Sequence, residues 1–128
     1  MKVFVYFNLH KKLWSIKALE GWNKGRVVAH KTSLSLHNCA FKVSEAGRQR
    51  VIREKRKNVH AGVVGYWYDD NDSVTYSNAN YALQFGFGVT YNPYKYSTFV
   101  QTNEERTPIH SAPFVVLDGR TVMAIHKF

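Results

Sequence analysis

Four apolar runs precede the first helix-forming segment of this chain, and that order restricts the fold more than any other feature. The runs are KVFVYFNL from Lys2 to Leu9, LWSIKAL from Leu13 to Leu19, RVVAH from Arg26 to His30, and a longer one from Leu34 to Val43. Each has the length and the β-branched or aromatic content of a strand. EGWNKG puts the turn-formers Gly21, Asn23 and Gly25 between the second and third. The links are too short for parallel crossovers, so an antiparallel meander is expected.

Downstream, Ser44 suits a helix N-cap, Glu45 suits the positive end of the helix dipole, and Val43 occupies the staple position. This helix is predicted to run to about Lys57. VHAGVVGYWY then reads as a strand, and DDND at 69–72 as an acidic loop, with VTYS extended again to complete a hairpin. From Tyr81 to Tyr91, large apolar residues alternate with small or polar ones, the pattern of a strand with one packed face. Gly86 and Gly88 leave its other face bare for a backbone, a ring or a ligand. Asn92-Pro93 ends it. Asp118-Gly119, between FVVL and RTVMAI, is a hairpin signal of type I′.

The resulting class is α+β: a mostly antiparallel twisted sheet or small open barrel with one basic amphipathic helix packed on it. A length of 128 residues allows one domain, 1–128, and 45% hydrophobic with 15% aromatic content excludes a disordered chain.

The net charge of +9 favours a polyanionic partner where it is concentrated. It is concentrated at Arg48, Arg50, Arg53, Lys55, Arg56 and Lys57. At about 100° per residue, Arg48 and Lys55 share the stripe of Ile52, whereas Arg50, Arg53 and Lys57 point away. The outer set needs only water. The inner pair must snorkel to water, find a carboxylate or meet an anion such as a captured phosphate, and part of the chain's small acidic complement is committed to the 69–72 loop.

One cysteine, Cys39, rules out an intramolecular disulfide and a cysteine-based zinc site. Its place beside Ala40 and Phe41 suggests an inert buried thiol. The N-terminus lacks a signal-peptide core and no stretch has the length of a membrane span, so a cytoplasmic protein without a membrane partner is expected. The six histidines form no HExxH or HxH pair. His30-Lys31-Thr32 matches half of a paired H-x-T/S phosphoesterase signature, and the other half is missing. With no GxSxG elbow, P-loop or Rossmann glycine pattern, no catalytic residue, metal or cofactor is expected.

Rings and cations interleave in Tyr91-Asn92-Pro93-Tyr94-Lys95-Tyr96-Ser97-Thr98-Phe99. Rings stack on bases, Asn can read a base edge or ribose hydroxyl, and Lys contacts phosphate; core packing and an ordinary NPY turn use the same residues. The candidate ligand-binding set is Arg48, Lys55, Arg56, Asn58, His60, Thr90, Tyr91, Asn92, Tyr94, Lys95 and Phe99.

AGRQRVIREKRKNVHAGVVG from Ala46 to Gly65, VTYNPYKYSTFV from Val89 to Val100 and the opening YFNLHKKLWSI resemble a small family encoded by phages and prophages. That family is the Thoeris anti-defence sponge family. The resemblance implies a β-rich homo-oligomer that sequesters a cyclic ADP-ribose-type signal at subunit boundaries without cleaving it, with cyclic oligonucleotides held in a second pocket of some members. It would act in the bacterial cytoplasm during infection. Two alternatives stand beside it: a nucleic-acid-binding phage protein that uses the basic helix on phosphates, and an inhibitor that docks on a host defence enzyme.

Overall fold

The computed structural model describes residues 1–68 and 84–125. Within them the order is β1 (Lys2–Asn8), β2 (Leu13–Ala18), β3 (Val27–Lys31), β4 (Ser33–Val43), α1 (Glu45–Glu54), β5 (Ala61–Tyr66), β6 (Phe87–Thr90), β7 (Val100–Gln101), β8 (Ser111–Asp118) and β9 (Thr121–Ile125). These strands form one antiparallel sheet in the order β3-β2-β1-β5-β4-β8-β9-β6-β7. The fold is the expected α+β class, a twisted open sheet carrying a short helix.

The first four strands exist as the sequence predicts, but only three form a meander. β4 leaves the series and inserts between β5 and β8. Only Thr32 separates β3 from β4, although the two lie four positions apart in the sheet. On a flat sheet they would be about 19 Å apart, whereas two residues of chain span at most about 7 Å. The sheet must therefore roll until the end of β3 meets the start of β4. Two bonds stitch the closure: Gly119 N donates to Thr32 O at 3.1 Å, and Trp14 Nε1 donates to Gly119 O at 2.7 Å.

Inside the roll, Val3, Val5, Ile16, Leu36, Val63, Val115 and Leu117 form the fully buried centre of the main core. FVVL in β8 is continuous rather than alternating because both its faces are covered. Val115 and Leu117 enter the main core, while Phe114 and Val116 join Ile125 and Met123 in a second cluster. Each such side chain removed from water contributes about 1.5–3 kcal/mol before entropy is set against it. Asn38, at φ 49, lies at the register shift between β4 and β5 and bends β4 between its two neighbours.

α1 fills the connection between the antiparallel pair β4 and β5, where Val43 faces Ala61. Ser44 caps it by accepting a bond from Gly47 N at 3.2 Å. The helix ends at Glu54, not near Lys57. Lys55 takes a left-handed conformation, φ 58, and its amide closes on Val51 O at 2.9 Å. No glycine or proline marks this stop; four polar residues without an apolar stripe, Lys55 to Asn58, follow it.

The alternating run from Tyr81 to Tyr91 is also shorter as a strand. Gln84 and Phe85 are helical, β6 starts at Phe87, and residues 81–83 lie outside the described residues. So do the 69–72 loop, VTYS and the expected hairpin between them. The Asp118-Gly119 hairpin is present, with Asp118 paired to Thr121 and Gly119-Arg120 as the loop. Gly119 has φ +58 and Arg120 has no positive φ, the signs of a type II′ rather than a type I′ turn.

Candidate ligand-binding site

The segment after β6 is held rigid by its own asparagine. Asn92 Oδ1 accepts from Tyr94 N at 2.9 Å, and Asn92 O accepts from the amides of Lys95 and Tyr96 at 3.1 and 2.8 Å. That amide oxygen therefore builds the turn. Tyr91 stacks on Phe99 with centroids 5.1 Å apart, and Phe99 packs at 5.1 Å on Phe41, which makes Phe99 a core ring. Tyr94 and Lys95 project from the tip and are exposed.

Arg48 ties this turn to α1. Its Nε donates to Pro93 O and Tyr96 O, both at 2.9 Å, and its Nη1 donates to Glu45 Oε1 at 2.8 Å. Glu45 also accepts from Gln49 Nε2 at 2.8 Å. The Gln49 bond, followed by the bond and charge of Arg48, holds the Glu45 carboxyl below the usual glutamate range. The inner arginine is thus neutralised by a carboxylate one helical turn away, and two main-chain carbonyls orient its guanidinium.

His60 forms the second tie. Its Nδ1 lies 2.8 Å from Asn58 O, which can only accept, so Nδ1 carries the proton. In the neutral ring Nε2 is then an acceptor, and the Tyr91 hydroxyl donates to it across 2.7 Å. Burial pushes the Tyr91 phenol up to about 12. Gly47 lets the helix lie this close, since a Cβ there would come within 2.7 Å of His60 Cβ.

The predicted residues divide accordingly. Arg48, His60, Tyr91, Asn92 and Phe99 meet in one bonded and stacked cluster. Lys55 does not join Arg48 on an inner stripe, because the left-handed turn ends the helix and leaves Lys55 exposed. Arg56 and the Asn58 side chain are exposed as well, with Arg50, Arg53 and Lys57. Thr90 sits in β6 opposite Val100. Arg48–Glu45 is the one ion pair among the described residues.

The discounted chemistry stays apart from this cluster. Cys39 is buried, and desolvation raises its thiol to about 12. His30 Nδ1 lies 3.0 Å from Ser15 Oγ, and His37 packs edge-on to Tyr68 and Phe114, with burial lowering its pKa. No group of three metal-ligating side chains occurs among the described residues. No helix among them is long and apolar enough to cross a membrane.

Arg106 and Arg120 escaped the sequence reading. Together with Thr90, Thr102 and Thr121 they line an open groove of about 520 Å³. They are 14 residues apart, in turns that only the sheet order brings together. Arg120 follows the Asp-Gly hairpin signal directly, which is the one local hint of its position.

Fold and site together define a basic α+β protein with a rolled antiparallel sheet, a helix clasped to an aromatic turn, and exposed cations beside it. The chain belongs to the family described as Mycobacterium phage L5 gene 82 protein, whose profile matches residues 1–125. It is similar to the gene 82 protein of Mycobacterium phage L5, with 38% identity over 124 residues covering 92% of this chain and 86% of that protein. The membership makes it a member of a phage protein family. No solved structure matches it.

Proposed function

We propose that this protein binds phosphate-bearing nucleic acid without processing it, using the face of α1 and the turn that follows. The carrying observation is the row Arg50, Arg53, Lys55, Arg56 and Lys57: all five are exposed, and none has an ion-pair partner among the described residues. Such a row is a counterion-releasing surface for a phosphate backbone. Tyr94 and Lys95, exposed on the Asn92 turn, offer a ring and a cation to an unpaired base and its phosphate.

Fluorescence anisotropy with single- and double-stranded oligonucleotides between 50 and 200 mM salt tests the reading (about the range over which phosphate contacts are titrated). Binding should weaken steeply with salt, by a slope of roughly 0.7–0.9 per phosphate contacted. Absent or salt-independent binding would refute it.

A second reading is sequestration of a cyclic nucleotide immune signal as an anti-defence function, cyclic ADP-ribose-type or cyclic oligonucleotide, in the host cytoplasm. It is favoured by the exposed Tyr94 ring beside Lys95 and by the phage family. The polar atoms of Arg48, Asn92 and Tyr91 are engaged by other groups of the protein, Arg48 by Glu45 and the Pro93 and Tyr96 carbonyls, Asn92 by the Tyr94 amide and Tyr91 by His60, and a small ligand is ordinarily enclosed on most sides. This reading therefore needs a homo-oligomer whose subunit boundary closes over Tyr94. Light scattering and calorimetry against cyclic ADP-ribose isomers and cyclic di- and trinucleotides test it; a monomer that produces no heat would refute it. Recovery of intact ligand after denaturation would separate capture from cleavage.

A further inference from the structure

We infer that the groove between the turn after β7 and the β8–β9 hairpin is a second anion site, which takes a ligand carrying two linked phosphoryl groups. Its floor is Gly88, Val89, Thr90 and Val122, where β6 lies beside β9. Its walls carry Thr102 and Arg106 on one side, Arg120 and Thr121 on the other. Two guanidiniums can each grip a phosphoryl group through a planar fork, and three threonine hydroxyls can donate to the remaining oxygens.

The Arg120 side chain and the Arg106 backbone each have a defined place before any ligand arrives. Arg120 lies over the Phe7 ring with Cζ 5.3 Å from its centroid. Phe7 meets Trp14 edge-on at 5.1 Å, and Trp14 in turn holds Gly119 O, so the hairpin tip is anchored to the rolled sheet. Arg106 sits in a left-handed conformation, φ 52, which a residue with a Cβ rarely adopts. Asn103 builds its turn, accepting from Arg106 N at 3.3 Å through its carbonyl and from Thr107 N at 3.3 Å through Oδ1. Thr102 is drawn onto the floor by a 2.8 Å bond from its amide to Gly88 O, and a Cβ on Gly88 would meet Thr102 Oγ1 at 3.1 Å.

Neither arginine has an ion-pair partner among the described residues. Glu104, Glu105 and Asp118 are close in sequence, yet none lines the groove. The volume of about 520 Å³ falls within the range of small-molecule sites and leaves room for more than a bare diphosphate. This site is separate from the α1 face and does not depend on it.

Titration of the full chain with pyrophosphate, ADP, AMP and inorganic phosphate, by calorimetry and amide NMR, tests the inference. Pyrophosphate and ADP should bind at least about 10-fold more tightly than AMP or phosphate, the equivalent of one lost charged contact. The moving amides should be those of Thr102, Arg106 and Arg120 to Val122. Equal affinity for pyrophosphate and ADP identifies the diphosphate itself as the ligand; tighter ADP identifies a nucleoside diphosphate. Arg106→Gln, on an exposed turn, should weaken pyrophosphate about 10-fold or more, and Arg120→Lys several-fold because the fork is lost. A triple variant with Arg50→Gln, Arg53→Gln and Arg56→Gln should leave pyrophosphate binding unchanged. No binding of pyrophosphate or ADP overturns the inference, as does affinity unaffected by Arg106→Gln or lost in the helix variant.

Discussion

Arg48 and Arg50 stand two residues apart on one helix and do opposite work. Arg48 reaches a carboxylate and two carbonyls and is only 15% exposed in its side chain; Arg50 faces solvent with no ion-pair partner among the described residues. Identical chemistry becomes a structural clasp where the protein supplies acceptors, and remains a solvent-facing charge where it does not. The contrast extends to the whole region, with the clasp of Arg48, Glu45, His60 and Tyr91 on one side and the exposed run from Arg50 to Lys57 on the other.

The contrast breaks first at Tyr91. Tyr91→Ala removes the stack on Phe99 and the bond to His60, and should cost about 3 kcal/mol in urea unfolding. A cost below about 1 kcal/mol would mean that the clasp contributes little. Arg48→Ala should follow at about 2 kcal/mol, because the Pro93 and Tyr96 carbonyls lose their charged donor. Arg48→Lys should recover only part of this, since an ammonium cannot reproduce the guanidinium's geometry.

The exposed run should respond the other way round. Arg50→Gln, Arg53→Gln and Arg56→Gln together should move stability by no more than about 0.5 kcal/mol per site, while each lost phosphate contact should reduce the salt slope of oligonucleotide binding by about 1. An unchanged slope would move the binding surface elsewhere.

Two smaller effects sharpen the picture. Glu45 has its pKa lowered from 4.5 in the folded protein, so the stability it contributes is present above that pH and is lost as pH falls through the lowered value. Wild type and Glu45→Gln should therefore differ in stability at neutral pH, with the gap closing under acid. Cys39, its thiol raised to about 12, should ignore a disulfide reagent at pH 8 (roughly the unperturbed thiol range) until urea unfolds the chain. Reaction of the native protein at the rate of a free thiol would contradict its burial.

The strands from Lys2 to Val43 were legible because local pattern decides them: β-branched and aromatic residues in runs of strand length, with turn residues between. Ser44 was legible as a cap because its hydroxyl acts three residues away, on Gly47. The end of α1 was not, since Lys55 carries none of the glycine signal that ordinarily marks a left-handed stop. Without that stop, a helical projection carried Lys55 onto the inner stripe. Of the two partners the sequence leaves open for Arg48, a carboxylate or a phosphate, the structure supplies a carboxylate, Glu45, whose position in the sequence points only to the helix dipole.

What the sequence determines by itself is thus whatever acts within a few residues: strand identity, the hairpin at Asp118-Gly119, the helix start and the excess positive charge. Tertiary structure alone decided the insertion of β4 beside β8, the reach of Arg48 to carbonyls 45 and 48 residues away, and the meeting of Arg106 with Arg120 across one groove. The reason is physical. Short-range pattern sets which face of a segment is apolar, whereas the pairing of distant segments is chosen by the packing of the rolled sheet as a whole.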